Sequence, residues 1–292
     1  MMNERIAQYK AAVETRLNRF FLYSDDNPLK GYGEAVRYSL LASGKRIRAM
    51  LVLEFCRISG GDPDSAMDIA ASVEMLHAYS LIHDDLPCMD NDNLRRGKPT
   101  NHIVFGEGIA TLAGDVLQAE AFRTILHSGL PASSRLRCAE LLADAVGLEG
   151  MCGGQYLDLR GEGTVLSSEQ LDAINLRKTA ALLSASCAMG VSAAGGSAAQ
   201  EEAAGSFGRD LGLAFQIRDD VLDVISSESE LGKPIGSDAK ENKNTYMALL
   251  GEKGCERLID TLTARALSAI HEAFSNTAFL DEFANQMAIR RY

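Results

Sequence analysis

None of the six cysteines (Cys56, Cys88, Cys138, Cys152, Cys187, Cys255) forms a C-x-x-C pair with another; they are scattered singly along 292 residues. That spacing excludes a zinc ribbon and offers no disulfide framework, so the thiols read as reduced and the chain as cytoplasmic. Basic charge is short as well: 29 Lys and Arg against 40 Asp and Glu leave a net charge of −11. A nucleic-acid surface needs clustered Lys and Arg to displace counterions, so nucleic acid is not an expected partner. A secretory signal is missing, because residues 1–21 carry Glu4, Arg5, Lys10, Glu14, Arg16 and Arg19 where an apolar core would have to lie. The one bilayer-length stretch, Thr179 to Ala199, is dominated by Ala, Ser and Gly rather than Leu and Ile. It predicts a buried, closely packed helix and no membrane span.

Runs of alternating β-branched residues are also missing, while helical period and composition fill almost every stretch, which makes the chain all-α. No repeat, low-complexity tract or flexible linker divides it, so residues 1–292 are expected to form one domain. Helices are expected over Glu34 to Ala42, Ile47 to Ile58, and from Asp62-Pro63 to Asp85, with Asp at the N-cap and Pro in the first turn. Pro87 ends that helix, and the polar segment Asn91 to Thr100 is a loop. Further helices are expected over Ile109 to Leu126, over Ser133 to Leu159 despite four glycines, and after a capping box at Ser167 and Gln170. Another runs from Ala198 to Val224; Ser226 to Lys243 is a loop, and the remainder is helical with short breaks.

Two acidic clusters stand at the ends of apolar helical stretches: Asp84-Asp85-Leu86-Pro87-Cys88-Met89-Asp90 and Asp219-Asp220-Val221-Leu222-Asp223. Carboxylates are costly to bury there without a cationic partner. At about 100° per residue, His77, Ser80 and Asp84 share one helix face, and Gln216, Asp219, Asp220 and Asp223 share another. Arrays of hard oxygen ligands suit Mg²⁺, which keeps several waters and takes its other ligands from phosphate. Basic residues follow each cluster, Arg95-Arg96 and Lys233, and Lys45-Arg46-Ile47-Arg48 opens a helix after Gly44, where an anion is well placed. A solvated helix end is the bland reading of any one of these segments taken alone.

Taken together, Gly44 to Arg48, Asp84 to Asp90 with Arg95-Arg96-Gly97, Gly153-Gly154-Gln155, Lys178-Thr179, Phe215 to Asp223, and Gly232-Lys233 through Asp238 resemble the ordered motifs of the trans-isoprenyl diphosphate synthases. The spacing Asp84-Asp85-x-x-x-x-Asp90 is similar to that of the bacterial short-chain, farnesyl-forming members. The resemblance implies an isoprenoid-synthase bundle of about ten or more helices around a central cavity, and a Mg²⁺-dependent prenyltransferase that joins isopentenyl diphosphate to an allylic diphosphate. It implies that Asp84 and Asp90 hold two of three magnesium ions and Asp219 the third, with Asp85, Asp220 and Asp223 in support. Arg95, Lys178 and Lys233 are then expected at the allylic diphosphate, and Lys45, Arg48, His77 and Arg96 at that of isopentenyl diphosphate. Thr179 and Gln216 are expected near the carbocation, and a homodimer is the expected assembly. Tyr79 and Ser80, about 6 to 8 Å down the helix from Asp84, lie where a growing chain must go and are expected to set its length.

The pattern is not followed everywhere. Ala49 stands where proline is usual, Asn91 and Asn93 interrupt the acidic run, and the late motif around Lys243 has Asn242 for Gly and Met247 for Pro. The basic tail Arg290-Arg291 is expected either in reach of the second diphosphate or in solvent. Alternatives are a geranyl or geranylgeranyl diphosphate synthase of the same family, or a non-catalytic helical partner subunit. A terpene cyclase needs an Asn/Ser/Glu triad where the second aspartate cluster stands, and a di-iron bundle needs two Glu-x-x-His motifs where only Glu74 to His77 qualifies.

Overall fold

The computed structural model describes residues 2–225 and 244–290. Its helices are, in order, α1 Met2–Leu17, α2 Lys30–Leu40, α3 Ile47–Ile58, α4 Met67–Asp84, α5 Asn101–Phe105, α6 Glu107–His127, α7 Ala132–Val146 and α8 Met151–Gly161. There follow α9 Ser168–Asn175, α10 Ala181–Ala193, α11 Ala198–Ile225, α12 Tyr246–Ala273 and α13 Ala278–Ile289. A wide π turn, Leu176–Ala180, joins α9 to α10 without a break. Among the described residues no helix is long and apolar enough to cross a membrane.

Helix α4 explains the arrangement. It is apolar on nearly every side, and a helix without a polar face has to be enclosed. Ala70, Ala71, Val73, Met75 and Leu76 are fully buried, and α1, α2, α3, α6, α7 and α10 pack around them. A second core joins α1, α3 and α10 to α11, α12 and α13, where Phe55 meets Phe207 and Phe274 edge-on at 5.5 and 5.8 Å. Such pairs add about 0.5–1.5 kcal/mol each beyond the area they bury.

Local sequence signals account for several helix ends. Asp62 caps the turn Pro63–Ala66 by accepting from the Asp64 amide at 3.0 Å, and this 3₁₀ turn leads into α4. At α9 both capping-box bonds are present: Gln170 N–H to Ser167 Oγ at 3.3 Å and Ser167 N–H to Gln170 Oε1 at 2.9 Å. The helix expected over Ser133 to Leu159 is instead two, α7 and α8, because Gly147 and Gly150 adopt extended ψ values at the ends of the gap between them. The helix expected at Glu34 starts four residues earlier, at Lys30. Within the loop 91–100, Leu94–Arg95 pairs antiparallel with Lys98–Pro99, the one ladder among the described residues.

Candidate active site

The first acidic cluster folds back over the end of its own helix. Pro87 stops α4, and the Asp90 amide then donates to the Asp84 carbonyl at 2.9 Å while the Asn91 amide donates to that of Leu86 at 3.1 Å. Asp90 is thereby returned to the helix end that carries Asp84. Burial pushes the Asp84 carboxyl up to about 6; Lys178 and Arg95 oppose the shift, and repulsion from Asp90 and Asp85 adds to it. Asp85 turns elsewhere: it is buried and accepts from Arg95 Nε at 2.8 Å, while Arg95 also reaches Asp92 at 3.0 Å.

On α11 the second cluster divides in a similar way. Asp220 and Asp223 are buried; Asp220 accepts from the Tyr246 amide at 2.8 Å and from Gln216 Nε2 at 3.1 Å. Gln216 Oε1 in turn accepts from Thr179 at 3.3 Å, so one hydrogen-bonded chain ties the π turn to the start of α12. Asp219 is more open, and the Arg290 guanidinium rests against it, donating also to the Phe215 carbonyl at 3.3 Å and lying 3.9 Å from the Phe215 ring centre. Packing around Lys45 lowers its ammonium pKa; Arg290 adds to that shift and Asp219 opposes it, so the first basic segment and the chain's last described residue share one field.

Arg46 is not part of that anion-binding set. It sits in the left-handed region at the head of α3 (φ 53°) and donates to the Leu40 and Ala42 carbonyls at 3.1 and 2.9 Å and to Glu74 at 3.2 Å. Glu74 is thereby occupied, which removes the di-iron reading. The turn so fixed leaves Arg48 facing the cleft, with its Nε buried and without a hydrogen-bond partner. Burial, then the charges of Arg48, Arg96, Arg46 and Arg95, hold the His77 imidazole well below its ordinary range, so it is neutral at pH 7. Arg96 lies over the same turn, donating to the Ser43 carbonyl at 2.6 Å. A buried, unpartnered guanidinium nitrogen beside a neutral imidazole and a second arginine is a place prepared for an anion.

Lys178 and Thr179 come from the π turn, a helix defect common at functional sites. Lys178 Nζ donates to Asp158 of α8 at 2.6 Å. The approach of α8 requires Gly154: a Cβ there would stand 2.3 Å from the Lys178 amide nitrogen. Arg48, His77, Asp84, Lys178 and Thr179 line one cleft of about 520 Å³ together with Tyr79, Ser80, Met151 and Leu159; Asp85, Arg95 and Arg96 line a smaller pocket, and Asp90, Asp219 and Gln216 line neither. Lys233 and Lys243 lie outside the described residues, as does Arg291. Among the described residues no three carboxylate, imidazole or thiol groups converge on a common position.

The Polyprenyl synthetase family pattern matches residues 30–276. The chain belongs to this family. A farnesyl diphosphate synthase of Geobacillus stearothermophilus is 48% identical over 252 residues, covering 85% of this chain and 84% of that one. A chloroplastic geranylgeranyl pyrophosphate synthase of Capsicum annuum is 50% identical over 221 residues, 75% of this chain and 60% of its own. Among solved structures, an apo FPP/GFPP synthase from Zymomonas mobilis superposes with a TM-score of 0.87 at 31% identity, covering 98% of each chain. A geranylgeranyl pyrophosphate synthetase from Pyrococcus horikoshii gives 0.85 at 31%, covering 99% of this chain and 98% of that one. The polyprenyl synthetase chain is thus a prenyltransferase with the isoprenoid-synthase fold. No local pattern marks Cys152 and His83 in its cleft, or Asp158 at the Lys178 ammonium; each meets its partner from a distant part of the chain.

Proposed function

We propose that this polyprenyl synthetase condenses isopentenyl diphosphate with dimethylallyl or geranyl diphosphate to make farnesyl diphosphate, with residues 1–292 acting as one domain. The observation that carries the proposal is the single cleft that brings Asp84, Lys178, Thr179, Arg48 and His77 together with the apolar wall at Tyr79. The donor set fits magnesium: Asp84, Asp90 and Asp219 would hold it, while Asp85, Asp220 and Asp223, already hydrogen-bonded or buried, keep those three in place. When bound, magnesium supplies positive charge that favours departure of the allylic diphosphate.

The chain's own groups do the rest. Lys45, Arg48, His77 and Arg96 bind the diphosphate of the isopentenyl substrate, and Arg48 gains the partner that its buried Nε lacks. Arg95, Lys178 and, outside the described residues, Lys233 and Lys243 face the allylic diphosphate. The Thr179 hydroxyl and Gln216 amide, held to each other at 3.3 Å, present neutral oxygen dipoles to the developing carbocation without a nucleophile that would trap it. The apolar walls keep water from the same cation. Tyr79 and Ser80 close the space beyond the farnesyl length. Ile103, Val104, Ile109 and Leu112 leave an exposed apolar face on α5 and α6, which supports pairing with a second copy.

The test is direct: purified protein is given Mg²⁺, isopentenyl diphosphate and dimethylallyl diphosphate, and the products are sized, with a chelator control. Farnesyl diphosphate is the expected main product, and absence of diphosphate release would overturn the reading. Sedimentation velocity tests the dimer.

A further inference from the structure

Tyr79 does not stand alone in the cleft wall. Its hydroxyl lies 3.5 Å from Cys152 Sγ on α8, and its ring meets the His83 imidazole edge-on, centres 5.0 Å apart at 80°. His83 is itself fixed, with Nε2 2.9 Å from the Thr111 carbonyl of α6. Gly114 makes that position available, since a Cβ there would fall 2.1 Å from His83 Nε2. Tyr79, His83, Thr111 and Cys152 all line the same cleft as Asp84 and Lys178. Burial raises the Tyr79 phenol above its ordinary range, so it keeps its proton.

A tyrosine ring turns about two side-chain torsions, and contact with His83 on the same helix limits the ring without fixing its far end. Among the described residues, the one hydrogen bond that the Tyr79 side chain makes to another helix is that between the hydroxyl and Cys152 Sγ. We propose that Cys152, through the Tyr79 hydroxyl, positions the Tyr79 ring across the cleft and thereby sets the length of prenyl chain that the cleft accepts. Cys152 is then a positioning residue for product length, and the inference rests on the reading of this cleft as the prenyl-chain site. Without the bond, the ring gains a swung-aside rotamer that opens the space for one more isoprene unit. A hydrogen bond to sulfur, a weak donor and weak acceptor, corresponds to a shift of about two- to threefold in the ratio of geranylgeranyl to farnesyl product.

The experiment compares wild type, Cys152→Ala, Cys152→Ser, Tyr79→Phe and the double variant Tyr79→Phe/Cys152→Ala, reading diphosphate release and product length together. Cys152→Ala and Tyr79→Phe are each expected to raise the geranylgeranyl share by that factor, and Cys152→Ser, which offers the phenol a hydroxyl in place of the thiol, to retain the farnesyl product. The double variant should shift no further than either single one. Tyr79→Phe leaves cleft volume nearly unchanged, so its effect separates the bond from the space. An unchanged product ratio in Cys152→Ala, or additive shifts in the double variant, would overturn the inference. Wild-type protein that forms no prenyl product would overturn the reading of the site instead.

Discussion

Arg46 Nη1 donates to Glu74 Oε2 across 3.2 Å, and both side chains are almost wholly shielded from water. The pair joins the turn before α3 to the middle of α4, and Glu74 Oε1 also accepts the Ala49 amide at 3.3 Å. It therefore fixes the orientation of the flanking Lys45 and Arg48. Glu74→Ala leaves a buried guanidinium without its counter-charge and should lower folding stability by about 3–5 kcal/mol. Denaturant titration measures this, and a loss below about 1 kcal/mol would show that the pair is not buried as described.

Asp84 is held in its cleft at a cost to stability. An acid whose folded pKa exceeds its unfolded value is destabilising when ionised: the penalty is complete above about pH 6 and disappears as pH falls through the unfolded value near 3.9. In metal-free protein at pH 8, Asp84→Asn should therefore raise stability by about 1–3 kcal/mol. The same variant, and Asp219→Ala, should lower diphosphate release by more than about a hundredfold with the fold retained. Thermal melts beside turnover assays check both, and a destabilised Asp84→Asn would contradict the account of its burial.

Gly154 admits α8 to the π turn. In Gly154→Ala the new methyl meets a backbone nitrogen rather than a movable side chain, so the helix itself must shift, at about 1–3 kcal/mol. Because that nitrogen belongs to Lys178, kcat should fall along with the melting temperature. A variant that melts earlier but turns over normally would show that the contact is only structural.

His77 supplies a pH signature. Its folded pKa lies well below the ordinary value, so its contribution is complete above the unfolded pKa of about 6.5 and is lost as pH falls below it. Ligand-free His77→Gln should show a flatter stability profile than wild type between pH 7 and 5, measured by denaturant midpoints. Parallel profiles would mean that the imidazole takes up its proton equally in the folded and unfolded chain, and that burial and the charges of Arg48, Arg96, Arg46 and Arg95 do not shift it.

What the sequence discloses follows the range of the interactions involved. Asp62-Pro63 and Ser167 with Gln170 declare helix starts because their bonds span two or three residues. Both aspartate clusters are equally visible, being contiguous. The break between α7 and α8 was hidden, since Gly147 and Gly150 cost helix stability without dictating where the chain turns. The division of labour within each cluster was hidden as well. Asp85 is engaged by Arg95, ten residues on, and Asp220 by the Tyr246 amide, 26 residues on, and neither pairing has a local signature. Cys152 looked like one more scattered thiol, because its partner is 73 residues away.

The wide turn at Leu176–Ala180 amounts to one residue of slack held inside a continuous helix. Deleting a residue there would let the helix close into regular α geometry, but α9 would then swing by about 100° relative to α10. Either the capped start at Ser167 or the buried face carrying Leu182, Leu183 and Met189 would lose its register. Length changes are thus least tolerated not in this chain's surface loops but in the middle of one of its helices, and an alignment gap among its relatives at this point would mark a change in the cleft itself.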